Sequence, residues 1–308
     1  MNKILYKARV NCLTKACRKK KSKSKFSKVL TTRDFDSNLG EFNVIICDSC
    51  GLGYTNPYPT EKTSHLLYDE KNSKDFDIIK DTIIDHLKNF FSIRLLKKLG
   101  KGKSVKNVLD YSTGNGRYAW AASKVFSSAL IHAVDYQENP PPLFFLPQTN
   151  NSRIKYFKNT NFFTVKKYDL IILRHVLEHT YDPVSLIQYL GKYLSDSGIL
   201  YIEVPNLDSG CTKFFKKYSP LFYVPRHIFH FTAKSLALVI DEAKLNYEIG
   251  KNEIPIMGNI FAILTGAKAE IFFVKIIGIL LYPIQLAIET FYNSSTCINA
   301  ICRKQKNN

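Results

Sequence analysis

Between residues 105 and 117 the chain reads Val-Lys-Asn-Val-Leu-Asp-Tyr-Ser-Thr-Gly-Asn-Gly-Arg: an apolar run, an acid, a loop of small residues and the start of a helical stretch. No other feature restricts the fold so strongly. A small-residue loop that leaves a strand and enters a helix is the ligand position of open α/β sheets. Gly114 and Gly116 let the backbone approach a ligand without a Cβ in the way. Short apolar runs ending in polar or acidic residues recur at 130–136, 168–173 and 198–204, with helical stretches between some of them. That alternation predicts a parallel α/β sheet.

The run after Gly116 ends in Asp135, near the spacing of about 20 residues expected of an acid that holds ribose hydroxyls. Gly114-Asn-Gly116-Arg-Tyr-Ala119 also fits G-x-G-x-x-A, the dinucleotide fingerprint, so an NAD-dependent oxidoreductase is one reading. Asp110 speaks against it, because a carboxylate before the loop repels a pyrophosphate. S-adenosylmethionine has no phosphate, and its sulfonium and ammonium groups favour a nearby carboxylate. The residues therefore point to S-adenosylmethionine, held by Asp110, Gly114, Gly116 and Asp135.

Five further segments complete a pattern: His132–Asp135, Tyr168–Pro183, Gly198–Asn206, Arg226–Thr232 and Cys47–Pro57. With the glycine loop, they make the chain resemble the class I S-adenosylmethionine-dependent methyltransferases, in the branch with an N-terminal cysteine module. The resemblance covers roughly residues 40–250. It implies an α/β, Rossmann-like seven-stranded sheet whose last strand, near 296–303, runs antiparallel. It also implies that Ser112, Arg174 and His175 join the cofactor site, and that the acceptor is a small molecule or a sugar-linked glycan metabolite. Ser112 departs from the family's D-x-G-x-G-x-G loop, where the first glycine would stand. A serine there requires a negative φ or tolerated strain. The alternative reading is a non-catalytic membrane-surface or interaction protein on a decayed methyltransferase scaffold.

His175-x-x-Glu178-His179 matches the reversed zinc-protease pattern. It follows a strand and precedes Asp182-Pro183 rather than lying on a long helix, so the match is read as accidental and His179 as structural. His227, then His230, are the candidates for catalysis. They follow the fifth core strand, near Tyr223 and Arg226, and a neutral imidazole with a pKa of about 6.5 suits removal of a hydroxyl proton.

Cys47-x-x-Cys50 followed by glycine is half of a zinc knuckle, and Cys12-x4-Cys17 supplies an upstream half. The four cysteines are read as structural zinc ligands; the alternative is reduced thiols in a degenerate knuckle. Seven cysteines in 308 residues make no disulfide scaffold, and the first ten residues show no secretory h-region, so a cytoplasmic location is expected. The net charge of +18 is carried largely by lysine. Base readers favour arginine, so no specific nucleic acid is expected.

Residues 271–288 are the most apolar stretch but contain Lys275, Pro283 and Gln285. A spanning helix needs about 20 mostly apolar residues. A buried or membrane-surface hairpin is predicted instead, serving as a peripheral membrane contact, a hydrophobic lid or a dimer face. The expected layout is a cysteine module over 1–59, a helical lid over 60–100, the cofactor core over 101–250, an apolar helical insertion over 251–295, and a final strand and tail over 296–308.

Overall fold

The computed structural model describes residues 4–9, 11–18, 25–68, 83–145, 153–158, 167–268 and 272–305. Strands β1 (Phe26–Arg33), β2 (Glu41–Cys47) and β3 (Gly53–Asn56) form an antiparallel meander near the N-terminus. Of the basic run 18–28, residues 19–24 lie outside the described residues. Helix α1 (Ile83–Gly100) follows. A helix was expected over 60–99; residues Ser64–Leu67 form only a 3-10 turn, and 69–82 lie outside the described residues.

The core then alternates. Strand β4 (Asn107–Tyr111) leads to α2 (Arg117–Val125), β5 (Leu130–Val134), β6 (Ile154–Phe157) and β7 (Tyr168–Arg174). Helix α3 (Pro183–Lys192) precedes β8 (Leu194–Pro205), α4 (Gly210–Phe215), β9 (Phe229–His230) and α5 (Ala233–Glu242). Strand β10 (Leu245–Asn252) is followed by α6 (Met257–Thr265), α7 (Phe272–Leu280), α8 (Tyr282–Phe291) and β11 (Cys297–Lys304).

The seven core strands lie in the order β10-β11-β8-β7-β4-β5-β6. Strand β11 is antiparallel to both neighbours, while β8, β7, β4, β5 and β6 are mutually parallel. The expected Rossmann-like sheet with an antiparallel last strand is present. Its central strands read as apolar runs because helices cover both faces; Leu170, Ile171, Ile172 and Leu173 of β7 are all buried. Strand order reverses between β4 and β7, and the crevice at their C-terminal ends is the ligand position of such sheets.

Strand β8 begins four residues earlier than the 198–204 run suggests. Leu194 already pairs with Tyr168, and a bulge precedes Ile199. Gly198 sits in that bulge, where a Cβ would lie 2.7 Å from the Tyr168 carbonyl oxygen.

Strand β9 leaves the core and completes the N-terminal sheet, in the order β9-β3-β2-β1. Phe229 pairs with Tyr54 and His230 with Gly53. The cysteine segment is thereby joined to the loop that follows β8.

The apolar C-terminal stretch is not a hairpin within 271–288. Helices α7 and α8 bend by 45° at their junction, and no single helix among the described residues is long and apolar enough to cross a membrane. The close helical pair is α6 with α7: a Cβ on Gly278 would lie 2.9 Å from the Gly258 Cα. Helix α8 is turned against the usual rule. Its buried face carries Gln285 and Glu289, while Ile284, Leu286 and Phe291 are exposed. The buried groups are satisfied: Gln285 accepts from the Ile256 amide and donates to the Ile254 carbonyl, and Glu289 accepts from Ser209 Oγ and the amides of Gly210 and Cys211.

Candidate active site

The loop after β4 is folded by its own polar groups. Asp110 accepts from Thr113 Oγ1 at 2.6 Å and from the Ala119 amide at 2.9 Å, which ties the strand end to the first turn of α2. Burial pushes its carboxyl up to about 6, against those two hydrogen bonds. A cation beside it would favour the ionised form. Asp135, at the end of β5, accepts from the Gly114 amide at 2.7 Å and the Tyr136 amide at 2.8 Å. Burial raises its pKa too, opposed by the Gly114 amide. The carboxylate bridges the loops of β4 and β5 and keeps lone pairs for further donors.

Ser112, Gly114 and Gly116 all have positive φ, at 59°, 53° and 80°. The serine therefore takes the strained option, and its side chain is exposed. The two glycines differ. At Gly114 a Cβ would meet nothing, whereas at Gly116 it would lie 2.6 Å from the Phe144 ring and 3.1 Å from Pro141. Gly114→Ala should cost only the backbone strain, about 1–2 kcal/mol. Gly116→Ala adds overpacking of about 1–3 kcal/mol and should melt lower. Urea unfolding of the two variants measures the gap; equal midpoints would contradict it.

Arg174 and His175 close the adjoining end of β7. The Arg174 guanidinium is held by Glu203 of β8, with Nε donating at 3.0 Å, and stacks on Tyr118 at 4.2 Å. Glu203 also accepts from Tyr201 and Asn252, each at 2.7 Å. Arg174, expected to face the cofactor, is thus spent on a buried ion pair. His175, with φ 52°, places Nδ1 3.4 Å from Glu178 and Nε2 3.4 Å from Glu203. Burial would lower its pKa, but the two carboxylates raise it to about 9.

Beyond His175 a second cluster forms. His179 Nδ1 lies 3.1 Å from the Arg226 carbonyl and 2.9 Å from the Tyr68 hydroxyl. His227 Nδ1 lies 3.0 Å from the Leu221 carbonyl. The His179 and His227 rings meet edge to face at 4.7 Å. Burial, then His179 and His230, holds His227 well below its ordinary pKa. His227 thus joins a polar group with Glu178 and His179, though its ring is buried.

His230 does not join it. Its Nε2 lies 2.9 Å from Thr55 Oγ1, whose proton goes to the His227 carbonyl, so the ring donates there. Burial lowers its pKa to about 3. This placement makes His230 a packing group between β9 and β3 rather than a base facing the cleft.

Tyr68 was not singled out for this site from the sequence. Glu178 was met there only within the His175-x-x-Glu178-His179 match, and His179 was read as structural. Tyr68 approaches His179 from 111 positions away, a contact with no local signal.

The four cysteines converge. Cys12 Sγ lies 3.5 Å from Cys50 Sγ, and Cys17 Sγ 3.7 Å from Cys47 Sγ. All four sulfurs are buried and lie within 4.8 Å of one another. The edge of a tetrahedron with Zn–S bonds of 2.3 Å is about 3.8 Å, so the donor set fits a zinc ion. Hydrogen bonding from Cys50 pulls the Cys12 thiol down to about 4 against burial, and the Cys50 thiol is pushed up.

A family model described as a methyltransferase domain matches residues 84–248. Among solved structures the chain is similar to coclaurine N-methyltransferase bound to N-methylheliamine and SAH: 15% identity, 79% of this chain and 82% of that one covered, TM-score 0.48. It is also similar to the plantazolicin methyltransferase BpumL in complex with SAH, at 17% identity, 80% and 90% coverage and TM-score 0.45. The N-methyltransferase NodS from Bradyrhizobium japonicum WM9, in complex with SAH, aligns at 14% identity, 79% and 98% coverage and TM-score 0.45.

Proposed function

Since this chain belongs to the methyltransferase family, with the strand order of the class I S-adenosylmethionine-dependent fold, we propose that it moves the methyl group of S-adenosylmethionine to a small or sugar-linked acceptor. The observation that carries this reading is the pairing of Asp110 and Asp135 around one glycine loop at the β4–β7 switch point. Asp135 would take the ribose hydroxyls, and Asp110 with Gly114 and Gly116 would shape the methionine end; Ser112 and His175 border it. The oxidoreductase reading falls with the family. Methyl transfer needs an in-line approach to the methyl carbon and, for a hydroxyl, a group to take its proton. The partly exposed His179, with Glu178 and His227 behind it, is the candidate for that rim.

Calorimetry with S-adenosylmethionine and its demethylated product tests the cofactor. Asp135→Asn removes the charge at constant volume and should weaken binding by about 1.5–3 kcal/mol, roughly 10- to 150-fold. Absence of binding by the wild type would leave the decayed-scaffold reading standing instead.

We also infer that α6–α8 rest on an anionic membrane surface. The inverted helix α8 supports this, as does the row of exposed Phe272, Phe273, Leu280 and Phe291. Large exposed apolar side chains gathered on neighbouring helices mark a contact surface. Lysine stands beside it: Lys213 lies over Tyr292 at 5.9 Å, and Lys268, just after α6, is exposed. Basic charge at the edge of an apolar face suits anionic headgroups. In flotation the protein should rise with vesicles rich in anionic lipid at low salt, and Phe272→Asp with Phe273→Asp should stay below. Wild type left in the soluble fraction at low salt would end this reading and favour a lid or dimer face.

A further inference from the structure

Glu178 is 1% exposed, and neither carboxylate oxygen has a hydrogen-bond partner among the described residues. A buried carboxylate is costly unless a cation compensates it, and the one ring ion-paired with it, His175, is shared with Glu203. The nearest nitrogens are His175 Nδ1 at 3.4 Å and His227 Nε2 at 3.9 Å. A carbonyl can only accept, so the Leu221 carbonyl fixes the proton on His227 Nδ1 and leaves its Nε2 bare. His179 is held through Nδ1 as well, between the Arg226 carbonyl and the Tyr68 hydroxyl, so its Nε2 has no part in either contact. Metal-bound histidines are usually anchored through the other nitrogen in this manner.

We propose that Glu178, His179 and His227 form a divalent transition-metal site at the acceptor end of the cleft. Ligand atoms of the three lie within 4.8 Å of one another. Ligands at about 2.1 Å from one ion sit roughly 3.4 Å apart, so small side-chain shifts close the site. Two imidazoles and one carboxylate suit zinc, cobalt, iron(II) or manganese, and leave positions open for an acceptor oxygen. His179 is partly exposed, so solvent reaches its side of the cluster. The neighbouring group His175, Glu203 and Cys297 does not compete, because the Glu203 oxygens are taken by Arg174, Tyr201 and Asn252.

The proposal rests on the methyltransferase reading for its role: a metal there would lower the pKa of a coordinated hydroxyl. The test is independent of turnover. Full-length protein brought to one zinc per chain, so that only the tighter thiolate site is filled, is titrated with cobalt(II) and followed in the visible spectrum. A nitrogen/oxygen site gives weak d–d bands without the sulfur charge-transfer bands of a thiolate site. One such cobalt per chain is expected. Glu178→Gln, close to isosteric, should weaken it by about 10–100-fold or more, and His179→Asn likewise. No cobalt bound through the low millimolar range, or binding indifferent to both substitutions, overturns the site and leaves Glu178 as the counter-ion of His175. The same samples are tested calorimetrically with S-adenosylmethionine. Cofactor binding without cobalt ends only the metal site; cobalt binding without the cofactor ends only the methyltransferase role.

Discussion

Glu203→Ala should destabilise the protein by about 3–5 kcal/mol, the range for removing one partner of a buried ion pair. Glu203 is fully buried and the Arg174 side chain is 17% exposed. The substitution leaves that guanidinium without its counter-charge and strips Tyr201 and Asn252 of their acceptor. Replacing both charges, Arg174→Met with Glu203→Leu, should recover much of the loss, because an apolar pair needs no compensation. Burial pushes the Glu203 carboxyl up, but Arg174 and then His175 hold it well below the usual carboxylate range. The sign follows: a depressed pKa contributes stability above the unfolded value of about 4.3, and that stability is lost as pH falls through the folded value. Urea unfolding at neutral pH should show the full difference between wild type and variant, narrowing as the pH drops below about 4. A loss under about 1 kcal/mol at neutral pH would mean that the pair contributes little.

What the sequence revealed and concealed divides along contact distance. The glycine loop was legible because its partners are near in sequence or at a fixed spacing: Asp110 closes on Thr113 and Ala119, and Asp135 on Gly114. The departure at Ser112 was legible as a question, and the answer, φ 59°, needed the backbone. The cysteine group was legible from ligand spacing, although its two halves come from segments 30 and more positions apart. The Glu178–His179–His227 cluster was not assembled. His227 stands out by residue type and by its place after the fifth core strand near Tyr223 and Arg226, whereas His179 reads as structural. Their meeting depends on β9 crossing to the N-terminal sheet, where the Ile228 amide donates to the Glu178 carbonyl at 2.7 Å. The apolar stretch at 271–288 was visible, but composition does not say which face turns inward. Gln285 and Glu289 face inward because loop amides and carbonyls there need partners, which leaves the large apolar side chains outside.

Loss of the cysteine-bound ion should have the widest structural effect. Four thiols buried around one point gain little from each other, whereas a zinc ion converts them to thiolates held at one distance, and such binding couples directly to folding. In zinc-finger peptides that coupling amounts to about 10–16 kcal/mol; here the Rossmann-like sheet has its own core, so the effect should fall on the N-terminal sheet and what it supports. Cys12 and Cys17 hold the segment that reaches α5 through the Lys15 amide on Glu242. Cys47 ends β2, and Cys50 stands in the turn before β3. Through β3 the strain would pass to β9 and to Thr55, which holds the His227 carbonyl and His230. The loop of residues 112–116 leans instead on Asp135, Phe144 and α2. Wild type should therefore carry about one tightly held zinc per chain, and Cys50→Ser should lose it and unfold its N-terminal sheet at lower temperature. Methyl transfer should drop by about 10²–10⁴, the range for losing proton abstraction, while affinity for S-adenosylmethionine stays within a few-fold of wild type. Elemental analysis, calorimetry and hydrogen exchange over residues 25–56 read the three outcomes separately. Wild type purified under reducing conditions without zinc, yet protected over those residues, would show that the thiols alone suffice to hold the module.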